Sequence, residues 1–142
     1  MAEHVVFTWQ RRPAKGSAAA LRRAARHVMK RLGVDSCEVG VLICGDETIR
    51  SLNRTFRGYD QTTDVLSFPS GEAQPDGPAY LGDIAISLDT ARRQAAAGGI
   101  DESKELAALL VHGLLHLLGH DHERDGGEMA LLEKQLRQEL GL

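Results

Sequence analysis

Residues 112–122 read HGLLHLLGHDH, a leucine-rich run that contains four histidines. On a helix, His112 and His116 lie about 40° apart around the axis and roughly 6 Å apart along it, so both imidazoles can reach one ion. Gly119 suits a helix end, because glycine enters the left-handed region at little cost, and the chain can then bring His122 back to the same ion. Three histidine ligands and one open position are typical of catalytic zinc. The stretch therefore predicts one Zn²⁺ per chain, bound by His112, His116 and His122.

Two other side chains in this run compete for the ligand role. His120 lacks the spacing after the turn that metal-binding helices of this type use. Asp121 is better suited to accept a hydrogen bond from a ligand imidazole and so to orient it. A single histidine on a leucine-rich helix is usually a core residue, but three histidines with a glycine at the turn favour a metal site.

Length and composition predict one domain over residues 1–142. A chain of 142 residues can bury about two thirds of its unfolded surface around one core. Cys37 and Cys44 would lie on opposite faces of a strand, so reduced thiols are expected. There is no run of about 18 apolar residues and no signal-peptide pattern, so we expect a soluble, cytoplasmic protein without a membrane segment.

Positive charge is concentrated in one segment, although the net charge of the chain is −3. Residues 11–31 hold eight arginines and lysines and no acid. On a helix, four of these lie largely opposite an apolar stripe: Arg22, Arg23, Arg26 and Lys30. Such a face can attract phosphates even on an acidic protein, so these four residues are predicted to bind a phosphate-bearing substrate. A solvated helix face and a transit peptide are the alternatives.

The hydrophobic pattern predicts strands interleaved with helices. The predicted strands cover residues 4–9, 38–44, 63–69 and 81–87. Five helices are predicted: Ser17 to Gly33, Asp46 to Gly58, one from Ser87 or Asp89 to Gly98, the histidine-bearing one from Asp101 or Ser103, and a C-terminal one after Asp125. The second helix is expected to turn Ile49, Leu52 and Phe56 inward. This order predicts an α+β domain with a four-stranded mixed sheet packed with about five helices, among them the zinc-binding helix near the C-terminus.

Position 113 limits the chemistry that the predicted metal site can perform. Zinc proteases of the same histidine spacing carry a glutamate directly after the first histidine, and that glutamate is the general base. Here the residue is Gly113, which cannot relay a proton. The metal can still lower the pKa of its water to about 7. Such a site then lacks only a group that holds an anionic substrate.

Three segments of the chain together resemble a known family. They are Leu52-Asn53-Arg54-Thr55-Phe56-Arg57 with Thr63-Asp64-Val65-Leu66-Ser67-Phe68-Pro69, then Leu81-Gly82-Asp83-Ile84 with Ser87, and the 112–122 stretch. In this order they resemble the bacterial YbeY-type endoribonucleases, also called rRNA maturation factors. The N-terminal third and the C-terminal helix match that family only in general layout.

The resemblance implies a zinc-dependent endoribonuclease that prefers single-stranded RNA. It would act in ribosomal RNA maturation, including the 3′ end of small-subunit RNA, and in ribosome quality control, with the small ribosomal subunit and assembly factors as partners. The family's zinc histidines carry over onto His112, His116 and His122, and its functional arginine onto Arg57. The alternatives are a zinc-dependent amide or peptide hydrolase, which Gly113 disfavours, and a non-enzymatic ribosome-assembly protein that binds RNA.

Arg57 fits a catalytic role toward phosphate on chemical grounds as well. A guanidinium offers the bidentate contacts that a phosphodiester accepts. The alternative for Arg57 is a salt bridge at the helix end with Asp60 or Asp64. Asp64 and Asp83 are expected to be structural residues at the sheet edge rather than further metal ligands.

Overall fold

The computed structural model describes residues 4–70, 79–121 and 125–142. In chain order these residues form β1 (Val5–Trp9), α1 (Ser17–Arg31), β2 (Glu38–Cys44), α2 (Asp46–Arg57), β3 (Val65–Pro69), β4 (Tyr80–Ser87), α3 (Leu88–Gly98), α4 (Glu102–Leu117) and α5 (Glu128–Leu140). Every predicted strand and helix is present, with bounds that differ from the predicted ones by a residue or two. The α+β class is confirmed.

The four strands form one mixed sheet in the order β1-β2-β4-β3. Strands β1, β2 and β4 are parallel, whereas β3 runs antiparallel to β4. In the register, Val41 of β2 lies between Phe7 of β1 and Ile84 of β4, and Leu66 of β3 pairs with Ala85. The two edges of the described sheet are therefore β1 and β3, which puts three strand spacings between them.

The larger part of the core lies between one face of the sheet and four helices. Alternate strand residues point to this side, which places Val41, Ile43 and Ile84 against α1, α3, α4 and α5. Helix α4 contacts α1, α3, α5 and the strands β3 and β4, and ten of its residues are buried. This enclosure explains its nearly continuous apolar sequence. In the second half of α4, His112 and His116 are the half-buried exceptions.

The opposite face of the sheet is covered only in part, by α2. Ile49 packs there against Leu66 and Ala85, and Leu52 is half-buried beside them. The prediction that Phe56 points into the core was wrong, because this ring is 66% exposed. It meets Phe68 edge-on at a centroid distance of 5.4 Å. Since Phe68 lies on the edge strand β3, no further strand among the described residues covers the ring.

Most helix ends lie within a residue or two of the positions predicted from the sequence. Gly33, which has φ +73°, is the second residue after α1, and Ser87 caps α3 by accepting a hydrogen bond from the Thr90 N–H. The N-cap of α1 is Gly16, and Ser17 is the buried first helical residue. Both cysteines are free thiols, as expected. None of the helices in the described ranges combines the length and hydropathy that crossing a bilayer requires.

Candidate functional site

Helix α4 brings the two predicted ligand histidines together on its half-buried side. The Nε2 atoms of His112 and His116 lie 3.1 Å apart, and their ring centroids 4.6 Å apart. Two nitrogens bound to one tetrahedral zinc at 2.0–2.1 Å would be separated by about 3.3 Å. The distance between the two imidazole nitrogens is therefore close to the one that binding a single ion requires.

Glu133 of α5 orients the first of these histidines. Its two carboxylate oxygens lie 3.0 and 3.2 Å from Nδ1 of His112. A carboxylate only accepts hydrogen bonds, so in the neutral ring Nδ1 carries the hydrogen and Nε2 keeps the lone pair that a metal needs. A carboxylate behind a ligand histidine is the usual partner in zinc sites. These donor atoms fit a bound zinc ion.

The pairing of His112 with Glu133 is reflected in the acidity of both groups. The hydrogen bond to Glu133 raises the pKa of His112, although burial opposes this shift. Burial would raise the pKa of the Glu133 carboxyl, but the hydrogen bond from His112 lowers it below the usual range. Glu133 is thus held as a carboxylate at neutral pH. Glu133 was not among the residues predicted from the sequence, although a charged residue on the apolar stripe of α5 points to such a role.

The third predicted ligand, His122, lies outside the described residues. Within the described ranges, no group of three histidine, cysteine, aspartate or glutamate side chains surrounds one point. The helix end that was expected to precede His122 is present, because α4 ends at Leu117 and Gly119 has φ +92°. His120 follows in this turn, with its N–H bonded to the carbonyl of Leu115.

Arg57 and the histidine pair line one cleft of about 530 Å³, which we call the histidine cleft. Its other lining residues are Thr63, Asp64, Val65, Ser67, Pro69, Gly119, His120 and Asp121. Arg57 is the last residue of α2, which ends in Gly58 at φ +78°. The loop after Gly58 is held against α2 by a hydrogen bond: the side-chain amide of Asn53 donates to the carbonyl of Gln61 at 3.0 Å. The end of α2 therefore holds the arginine at the rim of the cleft.

The predicted alternative for Arg57, a salt bridge at the helix end, does not form among the described residues. Asp60 pairs instead with Arg50, at 2.9 Å from Nε. Asp64 accepts a hydrogen bond from the N–H of Val65 at 2.8 Å, a structural role of the kind expected for it. The Arg57 guanidinium lies over the Tyr59 ring, 5.7 Å from its centroid, and has no acidic partner in the described part of the chain. Its hydrogen-bond donors can therefore be used by an anion in the cleft.

At Gly113, α4 lies close against the sheet. A Cβ atom at this position would lie 3.0 Å from methyl groups of both Val65 and Ile84. The Ser67 hydroxyl donates a 2.7 Å hydrogen bond to the carbonyl of Gly113. The position at which zinc proteases carry a glutamate is thus filled by the sheet. A side chain at this position would be crowded by residues of both β3 and β4.

The four basic residues predicted to bind substrate do not lie in the histidine cleft. Arg22, Arg23, Arg26 and Lys30 line a separate groove of about 440 Å³ between α1 and β1, the α1–β1 groove. The residues that line the groove and those that line the cleft do not overlap. Because β1 and β3 are opposite edges of the described sheet, the two features are on different sides of the molecule.

Comparisons with known proteins agree with this architecture. The family model described as Endoribonuclease YbeY matches residues 8–141. An Endoribonuclease YbeY from Solibacter usitatus is 50% identical over 135 residues, 95% of this chain and 87% of that protein. One from Thermus thermophilus is 50% identical over 116 residues, 81% of this chain and 84% of that protein.

A solved structure shares the fold as well. The solution structure of TM1509 from Thermotoga maritima superposes with a TM-score of 0.66 and 29% identity, covering 96% of this chain and 88% of that one. The family model thus matches nearly the whole chain, including all three segments that carry the resemblance. The chain belongs to the YbeY endoribonuclease family.

Proposed function

We propose that this protein is a zinc-dependent endoribonuclease that hydrolyses phosphodiester bonds in single-stranded RNA. Its cellular role in this proposal is ribosomal RNA maturation, including the 3′ end of small-subunit RNA, and ribosome quality control in the cytoplasm. The small ribosomal subunit and its assembly factors are then its partners. Membership of the family supports the endoribonuclease activity, and the contents of the histidine cleft support the metal and the anionic substrate.

The observation that carries the proposal is the ligand geometry in α4. Two imidazole Nε2 atoms face each other at 3.1 Å, and one ring is oriented from behind by Glu133. His112 and His116 would hold Zn²⁺ in this arrangement, and His122 is proposed as the third ligand. When bound, zinc supplies Lewis-acid catalysis and activates water for hydrolysis.

The substrate side of the cleft is supplied by Arg57. Its planar guanidinium can bind two oxygens of a phosphodiester and stabilise the charge that develops on them during cleavage. No side chain at position 113 takes part, because the residue there is glycine and Val65 and Ile84 lie close against it. The proposal therefore assigns phosphate binding to Arg57 and the positioning of His112 to Glu133, with no carboxylate general base of the protease type.

Metal analysis combined with cleavage assays tests this function. We expect the purified protein to contain about one zinc per chain and to cleave single-stranded RNA but not peptides. His116→Ala should lose both zinc and cleavage. Arg57→Ala should keep zinc and lose about 10²–10³-fold in rate. Arg54→Ala is the matched control, because Arg54 is an exposed residue of α2 that does not line the cleft.

Three results would contradict the proposal. Peptide cleavage without RNA cleavage would support the amide-hydrolase alternative. RNA binding without cleavage by any zinc-loaded preparation would support a ribosome-assembly role alone. An RNase activity that survives His116→Ala at the wild-type rate would show that the cleft is not its source.

A further inference from the structure

The α1–β1 groove combines positive charge with aromatic surface at the far edge of the sheet. It is lined by Phe7 of β1, by Arg22, Arg23, Arg26 and Lys30 of α1, and by one acid, Asp35, among other residues. The balance of the formal charges in the groove is therefore positive. The histidine cleft shares none of these residues, so the groove is a separate feature.

Phe7 and Arg22 line the groove and belong to a stack of flat groups that continues to Trp9. The rings of Phe7 and Trp9, two residues apart on one face of β1, stack at a centroid distance of 5.2 Å and an interplanar angle of 6°. The Arg22 guanidinium carbon lies 5.4 Å from the Phe7 centroid and 6.0 Å from that of Trp9. Aromatic rings and guanidinium planes are the surfaces on which unpaired bases stack.

Three cations of α1, Arg23, Arg26 and Lys30, have no acidic partner in the part of the chain that the structure describes. Arg26 and Lys30 are exposed and have no acidic partner among the residues that the structure describes. Arg23 donates to a backbone carbonyl, that of Leu140, at 3.4 Å, which leaves its charge uncompensated. Cations arranged in this way beside stacked flat groups suit a single-stranded nucleic acid. Its phosphates can pair with the cations while its bases stack on the flat groups.

We propose that the α1–β1 groove is a second RNA-binding site, which holds a single-stranded segment outside the histidine cleft. An acidic peptide added to the exposed edge of β1 would satisfy the charges as well. It would not use the stacked surfaces, and for this reason the groove fits a single-stranded nucleic acid better. The inference rests on the proposed function only in naming that strand as RNA.

Trp9 provides a direct test, because it is the only tryptophan in the chain. Titration with a 2′-O-methyl oligouridylate of about ten nucleotides should change the Trp9 fluorescence until the site is saturated. The affinity should fall steeply as salt is added. The double variant Arg26→Gln/Lys30→Gln should weaken binding and make the slope of log K against log salt shallower by about 1.4, since each phosphate contact to a single strand contributes about 0.7.

A matched control separates the groove from the basic segment as a whole. Arg12→Gln/Lys15→Gln removes the same charge from the same segment, but neither residue lines the groove. This variant should keep the wild-type salt slope and fluorescence change. The proposal is overturned if both double variants weaken binding equally, or if the oligonucleotide binds, by anisotropy, without changing Trp9 fluorescence. It is equally overturned if oligoglutamate changes that fluorescence and the oligonucleotide does not.

Failure of the groove proposal can be distinguished by experiment from failure of the proposed endoribonuclease function. In cleavage assays on a long single-stranded RNA, the Arg26→Gln/Lys30→Gln variant should raise KM and keep kcat. Arg57→Ala should lose cleavage and keep the Trp9 response. A wild-type protein that binds the oligonucleotide in the groove and cleaves no RNA would refute the endoribonuclease and leave the binding site standing.

Discussion

At position 133, a carboxylate occupies a place that the helical pattern assigns to the core. Met129, Leu136 and Leu140 of α5 are buried, and Glu133 lies on the same stripe but turns its charge toward His112. A charge partly withdrawn from water is costly unless it is paired. The partner here is a proposed metal ligand, so in that proposal the pairing would serve the metal site as well as the helix packing.

Replacing Glu133 should therefore weaken metal binding. Glu133→Ala removes the acceptor that fixes the His112 tautomer, and we expect zinc affinity to fall by about 10- to 100-fold. Competition with a chromophoric chelator measures this directly, without reference to activity. Glu139→Ala is the control, because it removes the same charge from the same helix at a residue that pairs with His27. Equal zinc affinities in the two variants would refute the positioning role.

Arg57 should be sensitive to shape as well as to charge. Arg57→Lys keeps the positive charge but loses the planar fork, so we expect slower RNA cleavage with zinc still bound. Arg54→Lys, in the preceding turn of the same helix, should cleave at the wild-type rate. Single-turnover rates with saturating protein would measure the difference. A wild-type rate in Arg57→Lys would reduce the role of Arg57 to that of a point charge.

At the scale of elements, the position of α4 depends on Gly113. Because this residue has no side chain, the helix approaches β3 and β4 closely enough for Ser67 to bond to its carbonyl. A methyl group there would lie 3.0 Å from branched side chains on both strands. The same approach sets how deeply the two ligand histidines sit relative to the sheet.

We expect Gly113→Ala to destabilise the protein. The overpacking cost of about 1–3 kcal/mol should exceed the gain of about 1 kcal/mol in helix propensity. Gly98→Ala in α3 is the control, because no atom lies within 4 Å of an added Cβ there. It should leave the free energy of unfolding unchanged or raise it slightly. Urea denaturation of both variants checks this, and equal stabilities would mean that the strands yield to the methyl group.

At the scale of the whole molecule, acidic residues join the carboxyl ends of the three parallel strands. Asp46, the first residue of α2 after β2, accepts hydrogen bonds from Ser87 at the end of β4 and from Thr90 of α3, each at 2.7 Å. Asp89 accepts one from the backbone N–H of Asp46 and pairs with Arg11, which follows β1. These bonds fix the strand ends relative to one another.

This network makes the free energy of unfolding depend on pH. Burial would raise the pKa of Asp46, but hydrogen bonds from Ser87, Thr90 and Arg93 lower it below the usual value of 3.8. The stabilisation is therefore complete above about pH 4 and is lost as the pH falls through the lowered pKa. Asp46→Asn should be less stable than the wild type at pH 7, by about 1–3 kcal/mol. Urea denaturation at several pH values should show the difference shrinking in acid, and a constant difference would contradict the assignment.

The sequence predicted the elements well and their arrangement less well, for a physical reason. Periodicities of 2 and 3.6 and the positions of glycine and proline are local, so the bounds of strands and helices followed from them. The strand order and the partner of Glu133, which is 21 residues away, depend on contacts between distant segments. The exposure of Phe56 likewise depends on β3 being an edge strand of the sheet. A local sequence pattern does not show which strand is at the edge.

The candidate site was predictable to the same extent. The spacing of His112 and His116 is a property of one helix, and the structure brings the pair together as expected. That Arg57 would share their cleft followed from the family resemblance, since α2 and α4 are remote in sequence. The basic residues of α1 were expected to form one binding face. Nothing in the sequence showed that this face lies away from the cleft, because that depends on which edge of the sheet α1 covers.

The close approach at Gly113 also bears on how such a site could change over evolutionary time. A glutamate at this position would press against Val65 and Ile84, whose methyl groups lie 3.0 Å from an added Cβ, so smaller residues at these two positions would favour it. Each of these changes alone costs stability, either by overpacking or by leaving a cavity. The route from this site to a protease-type one thus crosses less stable intermediates. The fold itself would act as a barrier between the two hydrolytic chemistries.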